Sequence, residues 1–251
     1  MKRLILFVLL LPGLAASSFA QVVINGISYD LNQETQQATV VKGEGYKGNM
    51  SIPAEVVYES VPYSVVAIAM EAFGNCKELT SILLPNTLKI IYEEGFWYSG
   101  LKSISIPNSV IQIEDYGFAR CNDLETVVLG SGMTRLSKYA FESCGKLKDM
   151  YCYTSQVLSA SSRSFNSASC ATAILHVPAD LVETYKVTEP WRAFGTIIPL
   201  TDSDPKPTSG IYKLQFNNEP SAVNCYDLQG RKIASPQKGI YINDGKKVIV
   251  K

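Results

Sequence analysis

The chain has 251 residues, 46% of them hydrophobic, with 23 basic and 23 acidic side chains and a single histidine. A chain without basic excess is a poor match for a phosphate backbone, so nucleic acid is not an expected partner. One histidine also leaves little from which to build a zinc centre, and neither His-Glu-x-x-His nor Cys-x-x-Cys occurs.

Met1-Lys2-Arg3, the apolar run 4–11 and Ser18-Phe19-Ala20 have the form of an export leader, with cleavage expected after Ala20. The run is shorter than a bilayer span, so no transmembrane segment is expected once the leader is removed. The mature chain is expected to be secreted or displayed on the outer cell surface. Residues 21–68 alternate between short apolar strands and turns and are expected to form an N-terminal β cap. Asn25-Gly26 marks a type I′ hairpin between 22–24 and 27–31, with further strands at 38–41, 56–58 and 63–68.

A motif then recurs. Its first copy is Ala72-Phe73-Gly74-Asn75-Cys76-Lys77-Glu78-Leu79-Thr80-Ser81-Ile82-Leu83-Leu84-Pro85, and its anchoring aromatics are Phe73, Phe96, Phe118 and Phe141. These stand 23, 22 and 23 residues apart. A fixed period in the low twenties with Leu and Ile inside it marks a solenoid of the leucine-rich-repeat kind. Each copy reads as a strand stopped by Pro, a second short strand, and a compact helical turn carrying Phe and Cys. The fold expected is a β-rich leucine-rich-repeat solenoid of parallel strands with short helical turns. A degenerate fifth rung contributes residues 174–178, and residues 179–186, Trp191, Phe194 and Ile197-Ile198 close the far end. The solenoid with this cap is assigned to residues 69–200.

Cys76, Cys121 and Cys144 fall at one repeat position, with Ser99 in the second copy, and are read as inward thiols stacked in a column. A Cys121–Cys144 bridge is the alternative, since the two lie one rung apart. Cys152 is read as inward, and Cys170 and Cys225 have no assigned place. Residues 201–210 carry two prolines and no aliphatic or aromatic side chain and are read as a linker. Residues 211–251 are expected to form a small C-terminal β-sandwich from strands at 211–216, 223–228, 239–242 and 247–250.

The unit at 72–85 resembles the BspA-type leucine-rich repeat of bacterial surface proteins. Val57-Tyr58, residues 63–68 and Val177-Pro178-Ala179-Asp180-Leu181 with Tyr185, Trp191 and Phe194 are similar to that family's lead-in and closing segments. The tail, with Cys225-Tyr226-Asp227-Leu228-Gln229-Gly230-Arg231-Lys232-Ile233, resembles the C-terminal sorting domains of Bacteroidetes type IX secretion cargo. The resemblance implies an exported surface adhesin that binds host or bacterial macromolecules, and no catalytic residue travels with it; the motifs present give no reason to expect a cofactor or metal. The partner implied is a host extracellular matrix protein, a glycan or a bacterial surface macromolecule. A self-associating surface or matrix scaffold and an accessory glycan-binding protein are the alternatives.

Aligning the copies on the outward strand position gives the row Leu83, Ser105, Val128, Tyr151 and His176. These side chains are expected to project from the parallel sheet about 4.8 Å apart per rung. With Lys102, Glu125, Lys148 and Asp149 beside it, this apolar strip is the candidate partner-binding surface. Strand propensity alone also accounts for its residue types. Catalysis by a Cys–His pair would need Cys170 beside His176, and an inward Cys with an outward His is the simpler expectation.

Overall fold

The computed structural model describes residues 19–165 and 170–207, and in the C-terminal stretch 225–226, 232–233, 239–243 and 246–250. The expected leader up to residue 18, the expected strand 211–216 and most of the expected strand 223–228 lie outside the described residues. Two compact units are separable, Met1–Tyr212 and Lys213–Lys251.

The first unit opens with a hairpin of β1 (Phe19–Ile24) and β2 (Ile27–Asn32), turned at Asn25 and Gly26 with φ of 51° and 78°. Both turn residues are left-handed, as a type I′ turn requires. Strand β1 includes Phe19 and Ala20, so cleavage after Ala20 would leave Gln21 to Ile24 for pairing with β2. Strand β3 (Gln37–Val40) is antiparallel to β2. Strand β4 (Gly48–Ser51) is followed by β5 (Glu55–Tyr58), which turns back antiparallel on β6 (Val61–Ile68). Strand β3 joins β6 in parallel, which ties the cap into one side of the solenoid.

Each rung then contains one longer strand and one of two residues. The pairs are β7 (Leu79–Leu83) with β8 (Ile90–Ile91), β9 (Ser103–Ser105) with β10 (Gln112–Ile113), β11 (Thr126–Leu129) with β12 (Arg135–Leu136), and β13 (Asp149–Cys152) with β14 (Ser159–Ala160). Strands β6, β8, β10, β12 and β14 form a parallel ladder on one side. On the other side β9, β11 and β13 continue in parallel into β15 (Ile174–Val177) and β16 (Thr196–Pro199). Strand β7 pairs with β4, so β4 supplies an additional rung before the first repeat. The short helix α1 (Val182–Val187) packs its buried Tyr185 edge-on to Trp191, with ring centroids 5.3 Å apart.

Between the two sheets the inward residues repeat in columns. Phe73, Phe96, Phe118 and Phe141 are all essentially inaccessible. Their rings stack at 4.9, 4.9 and 5.3 Å within 6° of parallel. The rung spacing of a parallel sheet sets this interval, and each buried ring contributes about 2–3 kcal/mol by transfer from water. Tyr46 starts the stack, 4.9 Å from Phe73, and Phe165 passes it to Trp191 at 5.1 Å.

The expected helical turn beneath each Phe is corrected: these corners are chains of tight turns. Glu71 and Asn75, Glu94 and Tyr98, Tyr116 and Arg120, and Tyr139 and Ser143 all have φ between 53° and 63°. Alternate amides donate to the next rung, as in Phe73 N to Gly95 O at 2.8 Å and Phe96 N to Gly117 O at 2.8 Å. An α-helix points its amides along its own axis toward carbonyls four residues back, so positive φ values and sideways bonding of alternate amides to the next rung replace it here.

Cys121, Cys144, Cys152 and Cys170 are buried free thiols, while Cys76 is half-buried. Cys121 Sγ donates to Phe96 O at 3.1 Å and Cys144 Sγ to Phe118 O at 3.2 Å. Cys170 occupies the equivalent place one rung on: the amide three residues after it bonds its carbonyl, as with Cys76, Cys121 and Cys144. The side chain of Cys225 lies outside the described residues.

In the second unit β17 (Cys225–Tyr226) pairs antiparallel with β18 (Lys232–Ile233) and with β19 (Gly239–Asn243), which pairs with β20 (Lys246–Val250). These strands make one four-stranded antiparallel sheet in the order β18-β17-β19-β20.

Candidate functional site

The strand register brings the outward row together. Ser105 pairs with Val128, Val128 with Tyr151, Tyr151 with His176, and His176 with Ile198. At the other end Leu83 pairs with Ser51, and Lys102 N reaches Thr80 O at 3.3 Å between β9 and β7. The row therefore spans Ser51 to Ile198, one position longer at each end than the sequence indicates. The first position is not legible in the sequence, because Gly48-Asn49-Met50-Ser51 shows no apolar alternation.

Accessibility along the row is uneven. Leu83 and Ile198 are 37% and 36% exposed, but Val128 retains 4% and His176 8%. The expectation that the row projects as an exposed strip is corrected at these two residues. Val128 is a short side chain with a row neighbour one rung away on either side, which leaves it little open surface.

His176 is covered by groups from elsewhere. Its ring stacks on Tyr151 at 4.1 Å and 22°, and its Nε2 lies 3.0 Å from Asp149 Oδ1. Asp204 brings Oδ2 to 4.0 Å from Nδ1. Asp204 belongs to the segment expected to be a linker; residues 201–207 instead pack on this sheet. Tyr153 OH donates to Pro205 O at 3.0 Å, and Lys206 Nζ stands 5.4 Å from the Tyr153 ring centre. Burial, with the Asp149 and Asp204 carboxylates behind it, pushes the Tyr151 phenol above its ordinary range.

Beside the row runs a charge ladder. Glu125 and Lys148 pair at 2.7 Å, as do Asp123 and Lys146, with every member well exposed. The hydrogen bond from each lysine holds its carboxylate below the usual range. Exposed pairs of this kind add little stability and chiefly give the rim an alternating charge.

His176 faces outward toward two carboxylates, whereas Cys170 stands in the interior column. Burial pushes the Cys170 thiol up to about 12 and the Cys121 thiol up to about 11. A thiol nucleophile needs the opposite shift. A shallow cleft of about 350 Å³ lies between Gly43, Tyr46 and Lys47 of the cap and Asn75, Cys76 and Lys77 of the first corner. The Cys76 thiol there is likewise raised, by burial first. Among the described residues no group of three or more His, Cys, Asp or Glu is placed to hold a metal ion, and no helix is long and apolar enough to cross a membrane.

Residues 55–172 match the profile of the BspA type leucine rich repeat region, in six copies. Among solved structures, the leucine-rich repeat protein of Treponema pallidum superposes with a TM-score of 0.53 at 20% identity. That match covers 72% of this chain and 83% of the other. A leucine-rich repeat protein from Bacteroides ovatus matches at 20% identity and TM-score 0.43, over 64% of this chain. The present chain spans only 56% of that protein's length. A leucine-rich cell surface protein of Faecalibacterium prausnitzii matches at 20% identity and TM-score 0.44, with 73% of this chain and 52% of the other covered. No curated protein gives a significant match. The fold is that of a leucine-rich-repeat solenoid.

Proposed function

We propose that this is an exported, surface-associated repeat protein that docks a macromolecule on the outward row of its parallel sheet. The observation that carries the reading is the contrast between the two sides of the same strands. Inward positions stay apolar from rung to rung, as in Ile82, Ile104, Val127, Met150 and Leu175, whereas the outward row changes in character from Leu83 to Ser105, Val128, Tyr151 and His176. A rigid ladder that holds unlike side chains at fixed spacing is a preorganised recognition surface, and preorganisation lowers the ordering cost of binding. The leader-like N-terminus supports export, and the similarity of residues 55–172 to BspA-type repeats supports a binding role. The C-terminal unit is proposed to serve sorting or attachment. Docking is non-covalent and multipoint, with no chemical step.

The test is binding of purified residues 21–251 to a panel of host matrix glycoproteins and intact bacterial cells, beside a Leu83→Lys, Ser105→Lys variant. Saturable binding by the parent that drops at least tenfold in the variant supports docking on the row. Binding that the variant leaves unchanged moves the contact to another face. Concentration-dependent self-association in place of panel binding favours the scaffold reading.

A further inference from the structure

The segment 201–207 returns over the sheet after the last rung. It closes on itself: Thr201 N donates to Asp204 Oδ2 at 2.6 Å, Asp204 N to Thr201 O at 3.3 Å, and Lys206 Nζ to Thr201 O at 3.1 Å. Its root is held by Leu200 N on Val177 O at 2.8 Å. Beyond that root its contacts with the sheet are polar: the Tyr153–Pro205 hydrogen bond, the approach of Asp204 to His176, and Lys206 over Tyr153. Thr201-Asp202-Ser203-Asp204-Pro205-Lys206-Pro207 carries no large apolar side chain to anchor it. Segments that bury little apolar surface open locally at far lower cost than the core. Beneath it lies an aromatic seat of Tyr151, His176 and Tyr153 beside Asp149, a surface of the type enriched in binding hot spots.

We infer that residues 201–207 form a displaceable strap that occupies, in cis, a seat for an extended peptide segment bearing a basic side chain. The strap itself identifies the chemistry. A main-chain carbonyl accepts from Tyr153 OH, and the next residue along sets its ammonium 5.4 Å from the centre of the Tyr153 ring. A cation over an aromatic face is favourable. The inference names the partner class for the C-terminal end of the row and so deepens the docking reading above.

The experiment uses the chain's single histidine as reporter. Diethyl pyrocarbonate modifies exposed imidazole, and the modification at His176 is followed by mass spectrometry on residues 21–251 without any ligand. Lys206→Glu, which places a carboxylate where the ammonium sits, raises the His176 modification rate about tenfold or more while the thermal midpoint stays within a few degrees. Tyr153→Phe, which removes only the hydroxyl bond to Pro205, raises it by a smaller factor.

In the parent, the slow modification is independent of urea well below the unfolding transition. A synthetic peptide of sequence 200–208, added to the Lys206→Glu chain, restores protection, and the same peptide with alanine in place of its lysine does not. Unchanged reactivity in both variants overturns the strap. A parent rate that climbs with urea in step with global unfolding overturns its independent opening, and equal protection by the two peptides overturns the basic seat. None of these readouts depends on the macromolecular ligand, so failure of panel binding and failure of the strap are separate results.

Discussion

The inward Phe column and the outward row are built on the same rungs at the same spacing, yet they obey different rules. In the interior, Phe73, Phe96, Phe118 and Phe141 stack ring on ring, and each must match the one before it. On the outside, Leu83, Ser105, Val128, Tyr151 and His176 share a register without sharing a chemistry. A column between two sheets has its volume fixed by its neighbours. A row on the sheet surface has only its spacing fixed. Stability therefore belongs to the repeated positions and recognition to the varied ones.

The contrast is broken most severely from the inside. Phe118→Ala, in the middle of the stack, is expected to cost about 3–5 kcal/mol, read as a large drop in the urea midpoint. Gly100→Ala comes next, because a Cβ there would lie 1.9 Å from Lys77 O on the preceding rung. The backbones must separate to admit it, at a cost of about 1–3 kcal/mol.

A smaller effect comes from pH through the buried thiols. Cys121 and Cys170 are held at about 11 and 12, and burial also raises Cys144. In the unfolded chain they ionise near the ordinary thiol value of about 8.5. The unfolded state therefore loses protons first, and stability falls as pH rises from about 9 toward 11. Urea midpoints measured at pH 7, 9 and 10.5 check the sign.

Thiol access sharpens the same comparison. In the native solenoid half-buried Cys76 reacts with a disulfide reagent, while Cys121, Cys144, Cys152 and Cys170 react only after denaturation. The smallest effect is expected at Leu83→Lys on the row, within about 0.5 kcal/mol of the parent.

Much of the interior was legible in the chain because a period needs no tertiary knowledge. Phe spacing located the stack, and Cys76, Cys121 and Cys144 at one repeat position located the thiol column. Cys170 stands in that column too, but the spacing from Cys144 widens to 26 residues and Ala173 replaces the expected Leu, which concealed it. Strand β4 was concealed for a related reason. Its pairing with β7 comes from the rung it precedes, and its own residues show no strand pattern. The corner's conformation is not legible locally, because a small residue, Phe and a Cys or Ser three places on suit a helical turn as well as a chain of turns. What decides between them is the presence of the next rung's carbonyls.

The sequence by itself determined the repeat, the inward columns and the register of the outward row, because equal spacing on a solenoid becomes adjacency in space. Only the tertiary structure decided which members of that row meet solvent. His176 is covered because Tyr151 stacks on it from one rung and Asp204 arrives from 28 residues further on. No local pattern encodes that return of the chain, since its contacts are single polar groups whose partners exist only once the last rungs have closed.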